Sequence, residues 1–306
     1  MVGAADLELP IDGIRQGEVP ASLPARVPTV ADLARRFMNS HVEVNNRPAT
    51  IEVYGLLLDR YILPELGKLP LSSVKRSHAA KLHHKYWNTP SQANHIVGIL
   101  GQMFGLAITW GMTPTRPNPC RSVRRYKVRG RERFLTEDEY ARLGRVLFDA
   151  ETEGPHMASA VAALRLLLLT GCRKMEIVTL RWDDVDRTAS ELRLREAKTG
   201  PRTVPLTPAA ERVLARIPRI EGNPWTIAGQ DPGCHLKGLE EVWTRLRARA
   251  GLDGVRIHDL RHSFASTAMA AGESLTTVAR LLGHSSVMTT ARYTHLPLDA
   301  EKASAG

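Results

Sequence analysis

Between Arg121 and Arg133 the chain carries seven basic residues, Arg121, Arg124, Arg125, Lys127, Arg129, Arg131 and Arg133, against one acid, Glu132. Pro117 and Pro119 stand just before the run. So charged a segment cannot enter a core, and the prolines stop a helix ahead of it, so the chain is constrained to two separate domains joined by a basic linker. On the N-terminal side Thr29 and Asp32 make a capping box, and Leu33, Phe37 and Met38 follow at helical spacing, so a first helix starts at Thr29. Further helices are expected from about Ala49 to Ile62, ahead of Pro64 and Gly67, from Ser72 to Tyr86, and from Ser91 to Trp110, ended by Gly111. Together these form a compact four-helix module. Residues 1–27, with Pro10, Pro20, Pro24, Gly13 and Gly17 and no sustained periodicity, read as a flexible extension.

On the far side of the linker Thr136 and Glu139 form a second capping box, opening helices over about 137–148, 156–170 and 173–181. Leu192-Arg-Leu-Arg195 and Arg202-Thr-Val-Pro-Leu206 then alternate around a turn, Lys198-Thr-Gly-Pro201, which predicts a β-hairpin. Helices resume at about 208–217, 236–250, 258–271 and 275–282, with a last short one from Ser286 to Tyr293. The expected fold is mainly α, an all-helical domain followed by an α-rich domain with one small β-hairpin or sheet.

The 306 residues, 43% of them hydrophobic, suffice for a core in each domain. A formal charge of +10 favours a polyanionic partner, nucleic acid first, because Lys and Arg release counterions on binding it. For the basic run the plain alternative is a solvated surface, whereas its place between two domains suits a strap along a phosphate backbone. Cys120, Cys172 and Cys234 are far apart and make no CxxC pair, which fits reduced thiols in a cytoplasmic protein rather than a zinc or redox motif. The N-terminus lacks the basic start and apolar run of a signal peptide. Ala160 to Leu169 is interrupted by Arg165 and too short to span a bilayer, so no membrane partner is expected.

Arg173 and Glu176 lie three apart on one helix, where the carboxylate can hold the guanidinium, although such pairs are usually surface ion pairs. In Ile257-His-Asp-Leu-Arg-His-Ser-Phe-Ala265, His258, Arg261, His262 and Ala265 share a helical face. Imidazoles beside a guanidinium suit a phosphodiester: arginine donates paired hydrogen bonds to its oxygens, and histidine donates or relays a proton near neutral pH. A metal site is the rival, since His258 and His262 stand at i and i+4. The intervening Asp-Leu-Arg lacks the glutamate of a zinc helix, and Arg261 would repel a cation. Leu281-Leu-Gly-His284 reads as a helix end capped by Gly283, which leaves His284 at the start of a loop where it can face a ligand, and Thr289, Thr290 and Tyr293 fall toward one side of the next helix. A phenol becomes a usable nucleophile only where cations or donors stabilise its phenolate.

Thr170-Gly-Cys-Arg173-Lys-Met-Glu176, the Lys198 turn, His258-Asp-Leu-Arg261-His262, Leu281-Leu-Gly-His284 and Ala291-Arg-Tyr293-Thr-His295 stand in an order that resembles the tyrosine recombinase (phage integrase) family. Those motifs cover most of 135–306, and the module at 28–116 is similar, less distinctively, to the family's core-binding (SAM-like) DNA-binding domain, through Thr50, Pro64-Glu-Leu-Gly67 and Asn118-Pro119. The resemblance implies four parts: an extension at 1–27, a core-binding domain at 28–116, the basic linker at 117–134 and a catalytic domain at 135–306. It implies site-specific cleavage and rejoining of double-stranded DNA through a 3′-phosphotyrosyl link to Tyr293, without metal, ATP or other cofactor. Arg173 and Arg261 would hold the scissile phosphate with His284. Lys198 would protonate the leaving 5′ oxygen, although Arg195 and Arg202 lie close by. His258 would accept or position the nucleophile's proton, with Glu176 and His262 in support. Cys172 and Met175 depart from the aliphatic or small residues expected at their positions. A homotetramer on synapsed DNA is implied, with the segment after Tyr293 docking on a neighbour and accessory DNA-bending proteins as candidate partners. Leu296, Leu298 and Ala300 offer a small apolar patch there, and a frayed end is the alternative. Residues 1–27 are too few to form an arm-type DNA-binding domain. Strand relaxation of the type IB topoisomerase kind, a DNA-binding remnant without cleavage, and a zinc-dependent nuclease remain as rival readings.

Overall fold

The computed structural model describes residues 27–113, 117–128, 130, 133–195, 200–284 and 286–293. Lys198, Arg129, Arg131, all but the last residue of the expected extension at 1–27, and the segment 294–306 with its Leu296, Leu298 and Ala300 lie outside them. The chain forms two compact units, one reaching to Gly130 and one from Arg131 onward. It is mainly helical with one small antiparallel sheet, as the sequence pattern predicts. No helix among the described residues is long and apolar enough to cross a membrane.

In the first unit, α1 (Val30–Phe37) opens on the expected capping box: the Asp32 N–H donates to Thr29 Oγ1 and the Thr29 N–H to the Asp32 carboxylate. α1 runs through a π-helical turn, Met38–Val42, into α2 (Glu43–Asn45). α3 (Pro48–Leu57) likewise continues through a π-helical turn, Leu58–Ile62, into α4 (Leu63–Leu66). The helix expected from Ser72 begins later. Leu71–Ser73 forms a 3-10 turn, Val74 and Lys75 are extended, and α5 spans Arg76–Lys85, its start fixed by the Lys75 N–H donating to His78 Nδ1. α6 (Pro90–Thr109) supplies Ile96, Leu100 and Met103 to a core that includes Leu33, Phe37 and Ile62.

The first part of the basic segment lies along α5 and α6. Asn118 donates to the Gly101 carbonyl at 2.6 Å and Cys120 is buried, its thiol pushed up to about 12 by burial. Asn94 clasps Tyr126 by accepting from its N–H at 3.0 Å and donating to its carbonyl at 2.9 Å. The same Oδ1 bonds His83 Nε2, whose ring stacks on Tyr126 with centroids 4.1 Å apart. Arg125 donates to the Asn94 carbonyl.

In the second unit, α7 (Glu137–Ala150) opens on the Thr136–Glu139 capping box. α8 (Pro155–Thr170) is buried along most of its circumference, which is why its sequence is almost unbroken apolar. α9 is short, Lys174–Val178. A two-residue strand, β1 (Val185–Asp186), joins the expected hairpin of β2 (Glu191–Leu194) and β3 (Arg202–Pro205) in a sheet of order β1-β2-β3. Leu192, Leu194 and Val204 face the core. Then follow α10 (Pro208–Arg216), α11 (Leu239–Arg249), α12 (Ile257–Ala270) and α13 (Leu275–Leu282). α11 starts three residues later than the pattern predicts because Gly238 takes a left-handed conformation, φ 73°, immediately before it. The short helix expected over 286–293 is two 3-10 turns, Val287–Thr289 and Ala291–Tyr293. α12 packs against α8, and α13 against α12.

Replacing Asn94 with Ala strips the Tyr126 backbone and His83 of their shared partner, at a cost of about 1–3 kcal/mol per polar group left unsatisfied. Limited trypsin digestion should then cut between Arg121 and Lys127 several-fold faster than in the parent chain, about threefold or more.

Candidate active site

α8 stops at Gly171, whose φ of 61° is the left-handed cap of that helix. A Cβ there would lie 2.3 Å from Phe264 Cδ1, so glycine is required by conformation and by space. The stop turns the chain so that Arg173 begins α9. Glu176 Oε2 accepts from the Arg173 N–H and Oε1 from Arg173 Nη1, each at 2.8 Å. This i, i+3 pair is therefore an anchored site element with a carboxylate side chain only 7% exposed, rather than a solvated surface pair.

Arg261, on α12, is 3% exposed. Its guanidinium spans two chain ends, donating to the Gly171 carbonyl at 2.7 Å and the Leu282 carbonyl at 2.5 Å. Two further arginines reach the same end of α13. Arg202 donates to the Leu281 carbonyl at 2.7 Å, and Arg173 to the Gly283 carbonyl at 3.3 Å. Three consecutive carbonyls at a helix C-terminus thus each take a different guanidinium. These groups have no intrahelical partner and carry the negative end of the helix dipole, so cations are their natural complement. Arg202 also donates to Glu176 Oε2 at 2.8 Å.

The electrostatics follow from this crowding. Burial, then the charge of Arg173, pulls Arg261 down to about 10, with Glu176 opposing and Arg202 adding to the fall. Burial alone would raise the Glu176 carboxyl. The Arg173 N–H, the Arg202 charge and hydrogen bonds from both guanidinium groups outweigh it and hold the carboxyl below the usual range. Glu176 bonds Arg173 and Arg202, and Arg261 only feels its charge, so three guanidinium groups beside this one carboxylate favour a further anion at the site. His258 is held below the ordinary imidazole value by burial and then by the Arg261 charge.

Gly283, φ 63°, ends α13 and delivers His284, whose Nδ1 lies 2.7 Å from the buried Thr290 Oγ1. The second 3-10 turn places Tyr293, 5% exposed, in an apolar cluster with Ala265, Val278 and Leu282. Its hydroxyl is hydrogen-bonded to His262 Nδ1. The His258 ring stands edge-on to that of His262, with centroids 4.9 Å apart.

Arg173, Glu176, Arg261 and His284 therefore converge through the end of α13, and His258, His262 and Tyr293 through one face of α12. Of the basic segment, Arg121, Arg124, Arg125 and Lys127 are exposed in the first unit. Arg133, in the second, is paired with Glu139 and donates to the Phe134 carbonyl. Sequence reasoning gave Arg202 no place in the site except as a neighbour of Lys198. The legible signal was its parity: it shares the face of β3 that buries Val204, where a charge requires a partner. Thr290 was noted only for the side it faces, and its contact with His284 depends on a turn that periodicity does not describe.

Residues 133–298 match the phage integrase family. The chain is 31% identical over 205 residues to the shufflon-specific DNA recombinase of Escherichia coli, covering 65% of this chain and 50% of that protein. It is 34% identical over 157 residues to the tyrosine recombinase XerC of Herpetosiphon aurantiacus, covering 48% and 51% respectively. The chain thus spans about half the length of these relatives. Among solved structures, lambda integrase as a tetramer bound to a Holliday junction superposes with a TM-score of 0.73 at 22% identity, over 88% of this chain and 78% of that one. The chain belongs to the phage integrase family.

A histidine whose pKa is lowered by folding binds fewer protons folded than unfolded. His258 therefore contributes stability above the unfolded value, about 6.5, that is lost as pH falls through and below it. Thermal melts from about pH 7.5 to 5 should show a steeper fall in Tm for the parent chain than for His258→Gln. Parallel curves would mean that His258 is not depressed.

Proposed function

We propose that this chain is a site-specific DNA recombinase that cleaves and rejoins double-stranded DNA through a 3′-phosphotyrosyl link to Tyr293. The observation that carries the reading is the set of arginines fixed at the end of α13 beside a tyrosine whose hydroxyl already rests on an imidazole. Arg173 and Arg261 hold the non-bridging oxygens of the scissile phosphate, and charge growing on the phosphorane meets donors already in place. With the Thr290 hydroxyl donating to His284 Nδ1, the proton of that ring sits on Nε2 and is offered to the phosphate.

In the cleavage step Tyr293 Oη bonds to phosphorus, the bond from phosphorus to the 5′ oxygen breaks, and the phenol proton passes to a histidine. Contact favours His262 as the immediate acceptor, with neutral His258 edge-on behind it. Lys198 is the proposed acid for the 5′ oxygen, taken from its place in the family's motif order. The ester to Tyr293 keeps the energy of the broken bond, so a 5′-hydroxyl from a second duplex reverses the step without ATP or metal. Relatives named as recombinases favour strand exchange over simple relaxation or binding without cleavage. We infer the assembly that lambda integrase adopts on a Holliday junction, a tetramer, with action in the cytoplasm, the N-terminal helical unit as a DNA clamp and Arg121, Arg124, Arg125 and Lys127 on the phosphate backbone. Arg129, Arg131 and Arg133, the other basic residues of the run, are proposed phosphate contacts on the same charge argument.

Tyr293→Phe should abolish covalent trapping on a nicked suicide duplex while leaving the DNA Kd within about threefold of the parent. A protease-sensitive adduct formed by that variant would refute the nucleophile assignment. The parent chain should retain its cleavage rate in EDTA, and a loss restored by zinc or magnesium would point to a nuclease instead.

A further inference from the structure

Arg202 occupies a position that its strand does not explain. It is the first residue of β3, paired across the sheet with Leu194, and its side chain, 11% exposed, leaves the sheet for the far side of the site. Burying a guanidinium is costly unless its donors are met, and here both terminal nitrogens, though not the buried Nε, are met by groups that themselves hold the proposed catalytic residues. Nη1 donates to the Leu281 carbonyl at 2.7 Å, and Nη2 to Glu176 Oε2 at 2.8 Å with Cys172 Sγ 3.9 Å away. Glu176 then has both oxygens occupied on fixed sides, Oε1 by Arg173 and Oε2 by the Arg173 N–H and Arg202. The contact at Gly283 is equally close, since a Cβ there would lie 2.6 Å from Arg202 Cδ and Nε. Gly283 immediately precedes His284 and accepts from Arg173.

We infer that Arg202 is a positioning residue for DNA cleavage, setting Arg173 through Glu176 and His284 through the Leu281–Gly283 turn. The inference rests on the recombinase reading above. In this role Arg202 does not touch DNA. It ties the strand that follows the Lys198 turn to the end of α13, so the phosphate-holding groups and the hairpin move as one assembly. Removing it leaves the Leu281 carbonyl without its donor and frees one side of Glu176, so that Arg173 has more than one available orientation.

Single-turnover cleavage of a saturating nicked suicide duplex separates this role from a merely structural one, because it reads the rate apart from the fraction of active protein. Arg202→Gln should slow the rate roughly 10- to 100-fold while the final amplitude and the DNA Kd stay near those of the parent. Arg202→Lys keeps a charge against Glu176 but cannot reach three acceptors, so its rate should fall between the two, and this variant carries the test if Arg202→Gln does not fold. Because the action passes in part through Glu176, adding Arg202→Gln to Glu176→Gln should slow the rate much less than Arg202→Gln slows the parent. Parent-like rates in Arg202→Gln, a loss of amplitude at unchanged rate, or fully multiplicative effects would each overturn the inference. A parent chain that forms no adduct at Tyr293 would overturn the recombinase reading and this inference with it.

Discussion

The end of α13 is the point on which the site depends. Leu281, Leu282 and Gly283 present three carbonyls in succession, and Arg202, Arg261 and Arg173 reach them from β3, α12 and the start of α9. Elements far apart in sequence are thereby fixed to one helix terminus by its unsatisfied acceptors and its dipole. The arrangement also resolves an electrostatic conflict. Three cations packed together repel one another, a penalty that adds to burial in lowering the pKa of Arg261, and carbonyl dipoles and the Glu176 carboxylate hold them in place. A site held this way is ordered before its ligand arrives, which is what stabilising a transition state by fixed charges requires.

Tyr293 depends on the same terminus by another route. The left-handed turn at Gly283 releases His284, and two 3-10 turns then bring the tyrosine back over α12, where Ala265 and Leu282 bury its ring and His262 meets its hydroxyl. A continuous α-helix over 286–293 would advance the chain by a different rise and rotation per residue. The irregular backbone there is part of how the Tyr293 hydroxyl and the His262 imidazole come into register.

What could be read from the sequence divides along physical lines. The capping boxes at Thr29 and Thr136, the helical face shared by His258, Arg261 and His262, and the alternation around the hairpin are local rules, and each left its mark in residue type and spacing. Arg173 with Glu176 was legible as a pair but not as a buried one, because burial is set by α13 more than a hundred residues later. The carbonyls of 281–283 carry no side-chain signature at all. Arg202 did leave a trace, as a charge on the core parity of β3, yet its partners are on α9 and α13 and no spacing rule connects them. Periodicity placed His258 and His262 together but could not say which imidazole meets Tyr293, since that depends on turns whose geometry is tertiary.

On the proposed recombinase reading, this cluster delivers a phosphodiester to Tyr293 and to no other nucleophile. Peptide mapping of a trapped and nuclease-trimmed adduct tests it most directly. The expected product is a nucleotide joined through its 3′-phosphate to the peptide carrying Tyr293. The same mass on another residue, or a linkage through a 5′-phosphate, would contradict it.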